Sequence, residues 1–214
     1  MIANEPVRGR VPPAWFRALS GLERIQALAD GRVARPPLHR LLSLRPGHVS
    51  PGACTWTMPA SEWLTVGPGI VELVGLAETA LMTAALTTVS PGRQVRAVAL
   101  ASNHFRPPRP QPGRFIARAR VVSASRFFVF ASAEIEDAEG RRLSEVSGHF
   151  KIETVVPKPP PPPASLPPVE ESPPGTPDPL LRPFVDVPGE DPSDQPLWRL
   201  LGATVALVER KRLS

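Results

Sequence analysis

The sequence predicts an α+β domain, an antiparallel sheet wrapped around one long central helix, with a proline-rich extension behind it. Three observations carry this expectation. Residues 70–88 (IVELVGLAETALMTAALTT) are apolar nearly all the way round a helix, so the segment must be enclosed on most sides. Four strand-like runs follow, joined by short turn signals that imply antiparallel neighbours. Finally, 16 of the 30 prolines lie between Pro157 and Pro196, and the rest of the 214-residue chain has an ordinary globular composition, which excludes wholesale disorder.

Taken in chain order, residues 14–30 space Phe16, Leu19, Leu22 or Ile25, and Leu28 near a 3.6-residue period and stop at Gly31, which reads as an amphipathic helix. Residues 45–52 look turn-rich, and residues 53–58 alternate Cys54, Trp56 and Met58 with smaller or polar residues, a strand. Gly67, Pro68 and Gly69 lead into the central helix. Small residues at 75, 77, 80, 84 and 85 let other backbone approach that helix. The four later strands fall at 95–104, 113–123, 126–136 and 142–152, punctuated by Pro91-Gly92, residues 107–113, Ala124-Ser125 and residues 137–140. This divides the chain into an N-terminal helical arm (1–37), a domain (38–156), a proline-rich linker (157–196) and a terminal amphipathic helix or tail (197–214).

Charge and cysteine content narrow the function classes. Up to Val156 there are 19 basic against 12 acidic side chains, an excess that favours an anionic partner: nucleic acid, a membrane surface or a phosphate-bearing small molecule. Cys54 is the one cysteine, so no internal disulfide forms and no paired thiols exist to hold zinc or an iron–sulfur cluster. Residues 1–13 lack an apolar core, so no secretory signal is expected and the cytoplasm is the expected compartment. The central segment is long enough to mimic a membrane span, but it carries Glu72, Glu78 and several threonines, and a buried helix is the better reading.

There is no GxSxG elbow, phosphate loop, HExxH or strand-borne GxGxxG. His39, His48, His104 and His149 are scattered without ligand spacing, so neither a metal nor a cofactor is expected, and each is most simply structural. The feature that stands out is a carboxylate on the most apolar helix, because a charge without a partner there is costly. Glu72 and Glu78 are six residues apart, about 120° around an ideal helix, so they face different surroundings. Glu72 lies in the first turn, where the helix dipole accounts for it. Glu78 lies mid-helix, where capping cannot. Two readings remain for it: an ion pair or hydrogen bond at a subunit interface, or a general base or nucleophile beside an apolar pocket.

The order of these parts resembles the hotdog-fold acyl-CoA thioesterases, the PaaI-like branch in particular. The matching features are Gly67-Pro68-Gly69 entering the helix, Leu76-Ala77-Glu78-Thr79-Ala80 within it, and Asn103-His104-Phe105-Arg106-Pro107. Gly113 before a strand ending Val121-Val122 also matches, as do Ile135-Glu136-Asp137-Ala138-Glu139-Gly140 and then Gly148-His149-Phe150. The likeness spans residues 38–153.

The resemblance implies a hotdog fold, a homodimer or homotetramer whose sheets join edge to edge, and hydrolysis of acyl-CoA at the subunit interface without a cofactor. It implies Glu78 as the catalytic base or nucleophile. Gly69, Ile70, Val71 and Thr79 would surround the developing oxyanion and substrate, and Arg93, Arg96, Arg106 and Arg109 would hold the CoA phosphates. A small-molecule partner follows, with neither nucleic acid nor stable membrane insertion expected. One departure is visible: members often carry His-Gly-Gly at the helix entrance, and counting back from Glu78 finds Gly69-Ile70-Val71. Glycine permits close backbone approach, so the departure bears on catalysis more than on fold. Two alternatives stay open, a non-catalytic acyl-CoA-binding or assembly module, and hydration of enoyl thioesters, for which no matching His–Asp pair is recognisable.

Overall fold

The computed structural model describes residues 12–36, 38–39, 42–60, 70–108 and 113–165, and for residues 70–72 the backbone alone. These residues lie within one compact unit, Arg8–Ser172. The linker beyond residue 165 and the terminal segment 197–214 fall outside the described residues.

A 3-10 turn (Ala14–Ala18) and helix α1 (Gly21–Ala29) precede the hairpin of β1 (Arg45–Ser50) and β2 (Ala53–Ala60). Helix α2 (Ile70–Leu86) follows, then β3 (Arg93–His104), β4 (Gly113–Ala124), β5 (Phe128–Glu136) and β6 (Arg142–Thr154). The six strands form one sheet in the order β1-β2-β4-β5-β6-β3, antiparallel throughout. Strand β3 therefore leaves α2 and runs to the far edge, beyond β6.

Alternation places the core. On β5, Val129, Ala131, Ala133 and Ile135 are buried, and on β4 Phe115, Ala117 and Ala119 are. Against them lies the face of α2 made by Leu73, Leu76, Ala77, Ala80, Leu81, Ala84 and Ala85, all in one cluster with Trp56, Met58 and Phe150. Alanine on both surfaces lets the helix sit close to the middle strands. At the far end of α2 the Thr87 hydroxyl donates to the Ala84 carbonyl (2.7 Å) and accepts from the Gly52 N–H (2.8 Å), which ties the helix to the β1–β2 turn. Gly52 takes φ +74°, the left-handed conformation that turn requires. Because α2 ends beside Gly52 and spans about 25 Å at 1.5 Å per residue, its first turn stands at the opposite end of β2, where Ala60 pairs with Gly113.

Two local expectations change. Residues 45–50 form edge strand β1 rather than a turn: Arg45 and Pro46 pair with Thr57 and Trp56, and a register shift before Val49 absorbs the irregular stretch. Proline is tolerated because an edge strand needs hydrogen bonds on one side only. The N-terminal helix is also interrupted. Ser20 caps α1, its hydroxyl accepting from the Glu23 N–H (3.3 Å) while the Glu23 carboxylate accepts from the Ser20 N–H (2.8 Å), a reciprocal box that starts a new helix.

The arm is seated firmly. The Gly21 N–H donates to the Val89 carbonyl (3.0 Å), and a Cβ at Gly21 would fall on the Leu86 carbonyl oxygen. Phe16, Ile25, Ala27, Leu28 and Val33 form a second cluster, packed also by Val49 and Leu86. Buried Arg24 donates to the Leu19 (3.0 Å) and Arg17 (2.8 Å) carbonyls, which satisfies the guanidinium within the arm itself.

Candidate functional site

Glu78 is half-buried on α2, one residue from Ala77 of the core face. It has neither ion pair nor hydrogen bond among the described residues. Its neighbour one turn on, Met82, is 37% exposed on a helix whose other long residues are mostly enclosed. Helical spacing puts Glu78 and Met82 on one open stripe beside the core face. The stripe sets the Glu78 carboxylate beside the apolar Met82 side chain.

The other expected residues are distributed unevenly. Ile70 and Val71 begin α2, so their backbone N–H groups have no carbonyl partner within the helix, and a helix start favours an anion. Gly69 and Arg109 fall outside the described residues. Thr79 is buried and its hydroxyl donates to the Gly75 carbonyl one turn back (2.9 Å), so that hydrogen is committed within the helix. The three expected arginines that are described do not gather in one chain. Arg93 opens β3, and its Nε is buried without a partner. Arg96 faces away from the helix, beside Lys151, and pairs with Glu153 at 2.6 Å. Arg106 lies past the other end of β3 and donates to the Arg142 carbonyl (3.0 Å). A twelve-residue strand separates the two ends by about 35–40 Å. Of these three, Arg106 is the one at the end of the sheet where α2 begins.

Cys54 has no role in this chemistry. Its thiol donates to the Ala80 carbonyl (3.1 Å), and burial pushes its pKa up to about 12, so it stays a protonated core residue. Among the described residues no group of three or more His, Cys, Asp or Glu side chains could hold a metal ion. No described helix is long and apolar enough to cross a membrane.

A polar group that the sequence leaves scattered comes together on the edge strand. Ser102 and His104 of β3 lie in contact, the His104 Nε2 3.2 Å from the Ser102 Oγ, and His104 is registered opposite Ser144 of β6. The Ser144 Oγ and the His104 Nδ1 are both buried and without a hydrogen-bond partner. Only the pairing of β3 with β6, forty residues apart in sequence, reveals the group; Asn103-His104-Phe105 by itself carries no such signal.

Residues 72–144, the span from the start of α2 into β6, match the thioesterase superfamily. Over that span the chain is similar to the thioesterase superfamily. Solved structures agree on the fold. A thioesterase from Haemophilus influenzae is 22% identical with TM-score 0.52, the alignment covering 63% of this chain and 92% of that one. The PaaI protein of the Escherichia coli phenylacetic acid degradation operon is 16% identical with TM-score 0.53, covering 62% and 92%. A mutant thioesterase from Pseudomonas aeruginosa is 21% identical with TM-score 0.51, covering 63% and 94%. No curated protein sequence matches the chain. At these identities the structures speak for the hotdog fold, while the superfamily match points to thioester hydrolysis as the class of chemistry.

Proposed function

We propose that this hotdog domain hydrolyses an acyl-CoA thioester to the free acid and CoA, in the manner of the PaaI-like branch, at a site completed by a second copy of the chain. The observation that carries the proposal is Glu78: a half-buried carboxylate, without a partner among the described residues, on the open stripe of a mostly apolar helix. Water attacks the thioester carbonyl carbon as Glu78 takes its proton, the oxyanion forms near the N–H groups of Ile70 and Val71, and the C–S bond then breaks to release the CoA thiolate. Fixed donors at a helix start stabilise that oxyanion without having to reorganise. A thioester is activated enough that one carboxylate and such donors suffice.

The second copy is argued from β3. Among the described residues its outer edge has no neighbouring strand, and Val98 and Leu100 on it are 60% and 37% exposed. An open, apolar edge of this length invites strand pairing, so a homodimer, or a tetramer built from it, is the assembly that fits. The proposed compartment is the cytoplasm, where CoA esters occur and Cys54 stays reduced.

The test is an assay of the wild type beside Glu78→Ala over a panel of acyl-CoA chain lengths and aryl-CoA esters. Turnover that disappears in the folded variant supports the enzyme. Absence of turnover in the wild type on every ester favours the alternative, a non-catalytic acyl-CoA-binding or assembly module, which the missing His-Gly-Gly at the helix entrance would then explain.

A further inference from the structure

We infer that Ser102, His104 and Ser144 form a hydrogen-bonded relay on the helix-facing side of the edge strand, and that Ser102 is the hydroxyl this relay offers to a bound hydrogen-bond donor. In the hydrolysis proposed above, on which this role rests, that donor is the attacking water, and His104 is a positioning residue acting through Ser102.

The register supplies the first step. His104 is opposite Ser144, and the Phe105 N–H donates to the Leu143 carbonyl at 2.9 Å. That pattern marks 104 and 144 as a non-hydrogen-bonded antiparallel pair, in which Cα atoms approach to about 4.5 Å and side chains are nearest. Ser102 is opposite Val146, a core residue, so by alternation Ser102, His104 and Ser144 share the face covered by α2.

Polar satisfaction supplies the second. Ser144 is 0% exposed and its Oγ is unpaired; so is the buried His104 Nδ1. Two orphaned atoms on adjacent side chains are each costly if left so. A proton on Nδ1, donated to the Ser144 Oγ, relieves both. That tautomer leaves Nε2 with its lone pair. The contact at 3.2 Å then has one sense: the Ser102 hydroxyl donates to Nε2. Its oxygen, on an exposed residue, is left as an acceptor aimed by the imidazole rather than free to rotate.

Placement supplies the third. His104 ends β3 and Ser144 stands near the start of β6, which is the end of the sheet where α2 begins. The relay and the N-terminus of α2 therefore belong to one end of the domain, and an acceptor that orients water is useful there.

The experiment has two arms. Nitrogen-15 NMR of the full-length protein reads the His104 tautomer directly: the relay requires Nδ1–H in the wild type and a shift toward Nε2–H in Ser144→Ala. Kinetics reads the role: Ser102→Ala and His104→Ala lower kcat about tenfold, the worth of one hydrogen bond, with KM little changed, while Ser102→Thr, which keeps a hydroxyl, retains activity. An Nε2–H tautomer in the wild type, or one indifferent to Ser144→Ala, overturns the relay whether or not the domain is a thioesterase. The required tautomer with undiminished kcat in Ser102→Ala overturns its part in hydrolysis. A wild type inert toward every thioester removes the hydrolytic role along with the Glu78 proposal, and the NMR arm still decides the relay.

Discussion

The two flanks of the sheet are finished to different degrees. On β2, β4 and β5 the helix-facing side chains Trp56, Met58, Ala117, Ala131 and Ile135 are 0% exposed. On β3 the corresponding positions are open: Leu100 faces the same way as the buried Phe150 two residues along its partner strand, yet is 37% exposed, and Ser102 is exposed outright. The same α2 serves both flanks, so the difference is one of coverage. The middle strands own their core, whereas β3 shares in it only along the side that meets β6. The enclosed core is accordingly lodged in one flank, and the exposed apolar surface in the other.

The contrast can be tested by substitutions on each side. The largest effect falls on Glu78, at the margin of the covered flank: Glu78→Ala should cost about 10²–10⁴ in kcat by steady-state assay, with an unchanged melting curve because the carboxylate has no described partner to lose. Next comes the covered flank itself. Trp56→Ala should destabilise by about 3–5 kcal/mol in denaturant titration, since the ring is wholly enclosed; a loss under 1 kcal/mol would mean the middle strands are no tighter than β3. A somewhat smaller effect depends on pH. His39 packs edge-on to Trp56 at 4.9 Å between ring centroids, and burial brings its pKa down to about 4. The folded state therefore resists protonation that the unfolded chain accepts near 6.5. Its contribution is fully present above about 6.5 and is lost as pH falls toward 4, by up to about 3 kcal/mol, and His39→Phe should flatten that limb. The smallest folding effect belongs to the open flank. Val98→Lys on the exposed edge should change monomer stability by no more than about 0.5 kcal/mol, while sedimentation shows the assembly shifted toward monomer.

Much of this was legible from residues alone, for identifiable reasons. Helix α2 announced itself because an apolar segment of that length with small residues has few other stable placements, and β4 to β6 did so because turn signals at 107–113, 124–125 and 137–140 bound each strand-like run. Glu78 stood out since a carboxylate amid Leu76, Ala77 and Ala80 breaks the surrounding pattern. Strand β1 did not, because Arg45-Pro46-Gly47 has turn chemistry and only pairing with Thr57 and Trp56 makes it extended. The break at Ser20 was present as Ser-x-x-Glu but was masked by the continuous apolar period on both sides of it. The Ser102, His104 and Ser144 group could not be read ahead of the fold: neighbours across two strands depend on register, and a one-residue slip would turn Ser144 to the opposite face.

The seat of the N-terminal arm bears on where this domain can be shortened. The family likeness starts at residue 38, which would tempt an engineer to cut there. Doing so would strip the Gly21 N–H from Val89 and bare Val49 and Leu86, which now lie beneath Ile25 and Leu28. The smallest autonomous version should therefore begin no later than Pro12, and a trimmed one would be expected to precipitate.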